Sequence, residues 1–262
     1  MISVMKKLLE AFDRYRSLVA YKVYAELRAE SERTYVGFMW WFVDPIVTMF
    51  VYYLVFTVVI KSRSENFLGF LFIGILCWRW FHTSIMHGAN SILGERGLMQ
   101  QVYLPKVIFP IVAVLTDTVK FLIVLLVLII ALPLFGFPIG ITHLALLPVV
   151  LAQFLLVAGC TILAASIVPV VPDIRMVLQN GLQMMFFLSG IFYDISLFPE
   201  KLQNLMLLNP MAVLIRMYRE VLLNGSMPSF TTLGVIISFS FLIGMLGFAV
   251  TRRLDVVYPK LR

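Results

Sequence analysis

Six ionisable side chains lie where ionisable side chains are expensive. Asp44, Arg79, His82, His87, Asp117 and Lys120 all fall inside or beside long apolar runs. A charge at the centre of a bilayer costs about 2.5–3.5 kcal/mol on insertion scales, so such residues are functional candidates. Metal chemistry is not among the readings they favour. His82 and His87 stand five residues apart, so on a helix they do not share a face as an i,i+4 metal pair would. Neither has a carboxylate close by in sequence. His143 sits at the boundary of an apolar run, and all three read as satisfied or interfacial histidines. Cys77 and Cys160, both in apolar runs, form neither a disulfide framework nor a metal knuckle. There is no G-x-S-x-G, H-E-x-x-H or C-x-x-C motif, so an intramembrane enzyme is disfavoured. There is also no G-x-x-x-x-G-K-[ST], and ATP hydrolysis at a Walker site of this chain is not expected.

The charges themselves allow more than one reading. Asp44 precedes Pro45, an arrangement expected to cap the start of a helix. Arg79 comes twelve residues after Phe67, close to mid-membrane. Asp117 and Lys120 share a helix face at i,i+3. These three are either a local ion pair with a snorkelling arginine, or a cluster Arg79–Asp117–Lys120 at a pore wall or a dimer seam. A proton or ion relay needs more buried carboxylates than this, which argues against a secondary transporter. Aromatic residues make up 14% of the chain. Phe38, Trp40, Trp41 and Phe42 read as an interfacial belt. The tight group Trp78, Trp80 and Phe81 has the alternative of stacking sugar rings.

The elements that hold these residues are membrane spans. The 262 residues are 61% hydrophobic and 13% charged, with a mean hydropathy of +0.96. Soluble domains run at about 45–50% apolar and about 25% charged. Six runs approach the ~20 apolar residues of a spanning helix: Met39–Ile60, Phe67–His87, Val107–Phe135, His143–Val168, Val177–Phe192 and Thr231–Val250, the fifth being short. Placing the N-terminus inside puts 14 of the 21 Lys and Arg residues in the inner segments. The positive-inside rule then sets both termini in the cytoplasm. The net charge of +7 is thereby a topology signal, and nucleic-acid binding becomes a remote reading. The start of the chain carries Glu10 and Asp13 among its basic residues and is not expected to be a cleaved signal.

One membrane domain, 1–262, is the simplest partition: a cytoplasmic region 1–38, a core 39–250 and a tail 251–262. In the first region Val4, Leu8, Phe12, Tyr15 and Val19 recur at helical spacing, as in an amphipathic helix lying in the inner interface. Within 193–230, "FPEKLQNLMLLNP" and "MAVLIRMYREVLLNG" are helical patterns too short to span. They suggest a re-entrant hairpin in the outer leaflet, tolerated only when packed in protein or lining a cavity. Tyr193, Pro199, Asn209, Pro210, Arg216 and Arg219 are its candidate gate residues.

Between spans two and three lies the polar segment "GERGLMQQVYLPKVIFP", Gly94 to Pro110. Its ending, "VYLPKVIFP", resembles the inner-membrane permeases of ABC-2 type polysaccharide exporters, which move O-antigen, capsule and teichoic-acid chains. "RTYVGFMWWFVDP", "FFLSGIFYDISLFP" and "LLNPMAVLIRMYREVLL" match that family in order, over nearly the whole chain. The resemblance implies an all-helical half-transporter in the bacterial inner membrane, working as a homodimer with two separate nucleotide-binding ATPase subunits. ATP and magnesium then belong to the partner, and this chain carries no cofactor. The implied substrate is an undecaprenyl-diphosphate-linked polysaccharide, and the short outer loops suit a Gram-negative O-antigen exporter. Its pyrophosphate is expected near Arg28 and Arg33 or near Arg79. The same family frame makes Glu95, Arg96, Leu98, Met99, Val102 and Tyr103 the segment that docks on the ATPase, with apolar anchors and flanking charges. Two alternatives are an ABC-2 permease for a small lipid or drug, and a channel or secondary carrier that needs no ATPase.

Overall fold

The computed structural model describes residues 2–59, 67–101, 104–138, 140–255 and 258, with side chains described from Tyr15 onward except at 58, 59, 96 and 100. Among the described residues every regular element is helical. α1 (Ile2–Glu32) leads through a 3-10 turn (Gly37–Met39) into α2 (Trp40–Leu54), which runs on as a π-helical turn (Val55–Val59). α3 (Phe67–Gly94), the short α4 (Arg96–Gln101), α5 (Ile108–Ala131) and α6 (Leu146–Ile167) follow. Then come α7 (Ile174–Leu188), α8 (Glu200–Met206), α9 (Pro210–Leu222) and α10 (Phe230–Leu254).

Among the described residues, five helical stretches are long and apolar enough to cross a membrane: Gly37–Thr57, Phe67–Gly94, Ile108–Phe135, Ile141–Ile167 and Phe230–Leu254. The stretch expected as a further span, Val177–Phe192, differs. Its helix, α7, begins earlier and stops after 15 residues at Leu188. At ~1.5 Å per residue that is about 22 Å, short of a ~30 Å hydrocarbon core. What stops it is a turn at Gly190, whose φ of +65° is left-handed, and where a Cβ would lie 2.9 Å from Ile195 Cγ1. Only glycine fits such a site without strain.

α3 is the central post. Leu71, Ile73, Cys77, Trp80, Ile85 and Ala89 along it are all nearly inaccessible, packed among α2, α5, α6 and α9. α6 and α10 form the closest pair. A Cβ added at Gly247 would sit 2.7 Å from the Leu163 backbone nitrogen, and one at Gly159 would sit 2.7 Å from the Ser240 carbonyl. Helices in lipid gain little from hydrophobic association with each other, so small residues that let backbones touch carry much of the packing. On α10, Val235, Phe239, Leu242 and Leu246 stay exposed, a lipid-compatible face for a helix buried on its glycine side only.

A second, smaller core closes the end of the bundle where α3 finishes and α5 begins. Ile92, Met99, Leu104, Phe109, Ala165 and Tyr258 pack there, with Tyr15 and Leu18 of α1 against them.

Candidate functional site

α1 is held to the bundle by polar contacts. Lys22, Glu26 and Glu30 recur every four residues and so occupy one helix face. Lys22 pairs with Glu95 at 2.5 Å, and its ammonium lies 5.3 Å over the Phe109 ring. Glu26 accepts a hydrogen bond from Thr116 Oγ1 at 2.9 Å. Glu30 pairs with Lys120.

That last pair opens onto the charged centre of the molecule. Lys120 Nζ also reaches Asp117 Oδ1 at 3.2 Å, the i,i+3 pairing expected from sequence. The other Asp117 oxygen is 3.3 Å from His87 Nδ1. Arg79 does not join Asp117; it pairs with Asp44 of α2. Asp44 is therefore no helix cap. The helical path begins upstream at the Gly37–Met39 turn, and Pro45 sits inside α2, so the carboxylate is free to reach across to α3. Arg79, Asp117 and Lys120 nonetheless line one cleft of ≈ 380 Å³, together with Glu30, His82 and His87. Asp117 is 6% exposed, and its two donors meet the requirement that a buried charge be paired. The outer pairs are looser: the Glu30 and Asp44 side chains are 48% and 50% exposed. Ion pairs so open to solvent are worth about 0–1 kcal/mol.

His87 and Asp117 are 30 residues apart and nothing local in sequence links them; the partner comes from a different helix. Glu26 and Glu30 are likewise absent from the sequence-level candidates. Their signal was present in the i,i+4 spacing with Lys22, but it reads equally as a solvated face.

The aromatic group is committed elsewhere. Trp78, Trp80 and Phe81 are at most 5% exposed. Trp80 stacks on Phe121 at 4.1 Å, and Trp78 packs on Phe81 and Phe186 at 5.5 and 5.8 Å. Of the three, only Trp80 contributes to the cleft wall. Arg28 turns to Glu32 on the surface of α1 at 2.7 Å, and Arg33 is exposed; neither lines the cleft.

The segment expected to dock on a partner is partly folded inward. Met99 is 6% exposed within the small end core, and Leu98 packs against that core. Met99 is thus not a free anchor, because the chain's own α3, α5 and Tyr258 already cover it. Glu95 is engaged by Lys22. The side chain of Arg96, and Val102 and Tyr103 altogether, lie outside the described residues. The same core is latched from the far end of the chain. Tyr258 donates to the Ser166 carbonyl at 2.9 Å, and burial pushes its phenol up to about 12, so it remains a donor at neutral pH. Lys106 donates to the Leu104 carbonyl at 3.0 Å and lies 3.8 Å from Asp255.

At the other end, α8 and α9 follow one another and are braced against the end of α7. Asn209 caps α9 by accepting from the Met211 amide at 3.0 Å, and Pro210 occupies the first helical position. The Asn209 amide also donates to Ser189 Oγ at 2.8 Å, tying the cap to the end of α7. Pro199 opens α8, its carbonyl accepting from Leu202 at 2.8 Å. Tyr193 packs on Phe198 at 5.1 Å and donates to the Phe187 carbonyl at 2.6 Å. Arg219 is the keystone of this end. It donates to the carbonyls of Phe70, Gly190 and Ile191 at 3.1, 2.8 and 3.0 Å, and its guanidinium lies 3.3 Å over the Phe70 ring. Arg216 instead makes a surface pair with Glu220 at 2.8 Å.

With this geometry in hand, three similarities bear on function. Residues 23–223 match the model of the ABC-2 type transporter family. An O-antigen export system permease protein RfbA from Myxococcus xanthus is 33% identical over 228 residues, covering 86% of this chain and 87% of that protein. A protein of the same description from Klebsiella pneumoniae is 23% identical over 237 residues, or 90% and 91% of the two chains.

Proposed function

The chain belongs to the ABC-2 type transporter family, and from that premise we propose that it is the permease subunit of an ATP-driven exporter of a lipid-linked polysaccharide, O-antigen in particular. The observation that carries the substrate is the near full-length similarity to permeases named for O-antigen export. The charged cleft is consistent with it: two cations in weak, partly solvated pairs offer a docking point for the diphosphate of an undecaprenyl-linked chain.

In this reading the protein sits in the bacterial inner membrane as a homodimer. Two copies build the pathway and two nucleotide-binding subunits, which hold ATP and magnesium, drive it. The excess of Lys and Arg in the segments joined to both termini supports cytoplasmic ends. Both ends on one side require an even number of crossings, so α7, with the turn after it, makes the sixth despite its length. α1 lies along the inner interface. α8 and α9 form the re-entrant hairpin at the outer face, and α4 with residues 102–103 forms the coupling segment.

Deleting the gene in its host tests the substrate. Lipid-linked polysaccharide should accumulate inside the cell while surface polysaccharide disappears, and a plasmid copy should restore it. Normal surface polysaccharide in the deletion strain rejects the reading in favour of a small-lipid or drug permease.

A further inference from the structure

A polar cleft of ≈ 410 Å³ lies where α9 meets the start of α3 and the turn after α7, walled by Phe70, Asp194, Ser196, Gln203, Glu220 and Asn224 among others. That volume is within the range of about 300–1,000 Å³ typical of ligand pockets. Its depth in the bilayer follows from α3, which is one unbroken helix. From Phe70 to Gly94 it rises about 36 Å, more than a ~30 Å hydrocarbon core. With Gly94 at the inner face, as proposed above, the cleft stands at the outer one, where an exported chain leaves.

The hydrogen bonds already made in this wall decide what it can take. Both of its cations are committed: Arg219 donates to three backbone carbonyls, and Arg216 pairs with Glu220. What is left is mostly acceptor capacity. Asp194 spends one carboxylate oxygen on the Ser196 amide and Glu220 spends one on Arg216, and the second oxygen of each has no hydrogen-bond donor among the described residues. Gln203 spends its amide nitrogen on the carbonyls of Ser196 and Phe198, which leaves its side-chain oxygen as an acceptor. The side chains of Ser196 and Asn224 are exposed and likewise have no partner among the described residues.

These groups choose among ligands. An anion finds no uncommitted cation here and meets two carboxylates. A cation meets two guanidiniums in the same wall, and no group of three or more His, Cys, Asp or Glu side chains among the described residues is placed to hold a metal ion. A neutral ligand with several O–H donors fits both facts. It also needs an apolar side, since Phe70, Ile195 and Leu223 line the same cleft. A sugar ring has hydroxyls around its edge and C–H groups on its faces. We propose that this cleft is an exit subsite for one sugar unit of the exported polysaccharide, whose hydroxyls donate to Asp194, Gln203 and Glu220, with Ser196 and Asn224 completing the set. This rests on the substrate class given above and divides that substrate between two places: cations in the charged cleft for the diphosphate, acceptors here for the glycan.

Binding of radiolabelled, lipid-free O-polysaccharide, released by mild acid from the host's own lipopolysaccharide, to the full-length permease in nanodiscs tests it. Ser196→Ala and Asn224→Ala remove two side chains that hold nothing else in the fold, so the double variant should keep the thermal-unfolding midpoint of the unmodified protein. It should bind the glycan about tenfold more weakly, the loss expected for two hydrogen bonds. Equal affinity of the two proteins, or no glycan binding by either, overturns the subsite; stabilisation by calcium chloride that the double variant loses would then assign the cleft to a cation. Should the variant fail to accumulate, a photoreactive form of the same glycan on the unmodified protein decides. Cross-links within 194–203 or 216–224 support the subsite, and cross-links only elsewhere overturn it. Complementation separates this from the substrate reading. If the unmodified gene restores surface polysaccharide to the deletion strain while the glycan tests fail, the subsite is wrong and the substrate class stands. If it restores none, both fall.

Discussion

Lys120 in the middle of α5 is ion-paired with Glu30 of α1, a helix that reaches the bundle through a row of polar contacts. A cation in the middle of a candidate membrane span is therefore balanced by an acid on a helix at the edge of the bundle. Arg79 repeats the arrangement with Asp44 of α2.

The first prediction follows from how open these pairs are. Replacing Arg79 by Met should change stability by no more than about 1 kcal/mol, with membrane protein levels near normal. Lys120→Met also leaves the buried Asp117 with His87 alone and should cost more. Both should strongly reduce export. Quantitative immunoblots and surface polysaccharide assays check this together. Full export in both variants, or failure of both to accumulate, removes the cleft from the mechanism.

Arg219 should behave in the opposite way. It is 8% exposed and holds three carbonyls from two elements, so Arg219→Leu leaves those acceptors buried and unpaired. A loss of about 3 kcal/mol is expected, read as a lower thermal-unfolding midpoint in detergent. Arg216→Gln, which removes only a surface pair, should cost less than about 0.5 kcal/mol. Equal effects of the two would contradict the keystone role.

The difference between those arginines is a fair measure of what sequence made legible. Both were recognisable as charges on a short amphipathic helix, and the boundaries Pro199 and Asn209-Pro210 were readable because cap and proline chemistry is local. The five long spans were legible for the same reason, since hydropathy and length are properties of a single run. Which arginine turns inward was not, because its acceptors lie 29 and 149 residues away. Asp44 was misjudged through local reasoning alone: an Asp-Pro pair looks like a helix start until an upstream turn extends the helix past it. The burial of Met99 was illegible for a like reason: an apolar residue in a polar loop gives no sign that Tyr258, far along the chain, packs in the same core.

Topology gives a third prediction. Single cysteines at Ser196 and Gly225 flank α8 and α9 on the same side of the bundle as the proposed hairpin mouth. Both should label with a membrane-impermeant maleimide added from the periplasmic side, in a variant lacking Cys77 and Cys160. Labelling of either from the cytoplasm alone would make the hairpin a pair of crossings or reverse the bundle.

Coupling gives a fourth. Val102→Asp and Tyr103→Asp should abolish co-purification of the ATPase subunit and export, while the protein still inserts. Met99→Ala should instead lower stability by about 2–4 kcal/mol, since that side chain fills the end core, and leave ATPase affinity unchanged in the folded fraction. If the aspartate variants still bind the ATPase as tightly, the contact lies elsewhere, with the start of α1 the next place to look.

The most direct test of the whole account is reconstitution. The purified chain and its nucleotide-binding partner, placed in liposomes with undecaprenyl-diphosphate-linked O-antigen in the leaflet facing the ATPase, should move the polysaccharide to the opposite side. The transfer, followed by its protection from an added glycosidase, should require ATP and magnesium and should stop when the ATPase is inactivated. Transfer that proceeds equally without ATP, or none at all from a complex that hydrolyses ATP and binds the lipid, would contradict the proposal that this chain is the permease of an ATP-driven polysaccharide exporter.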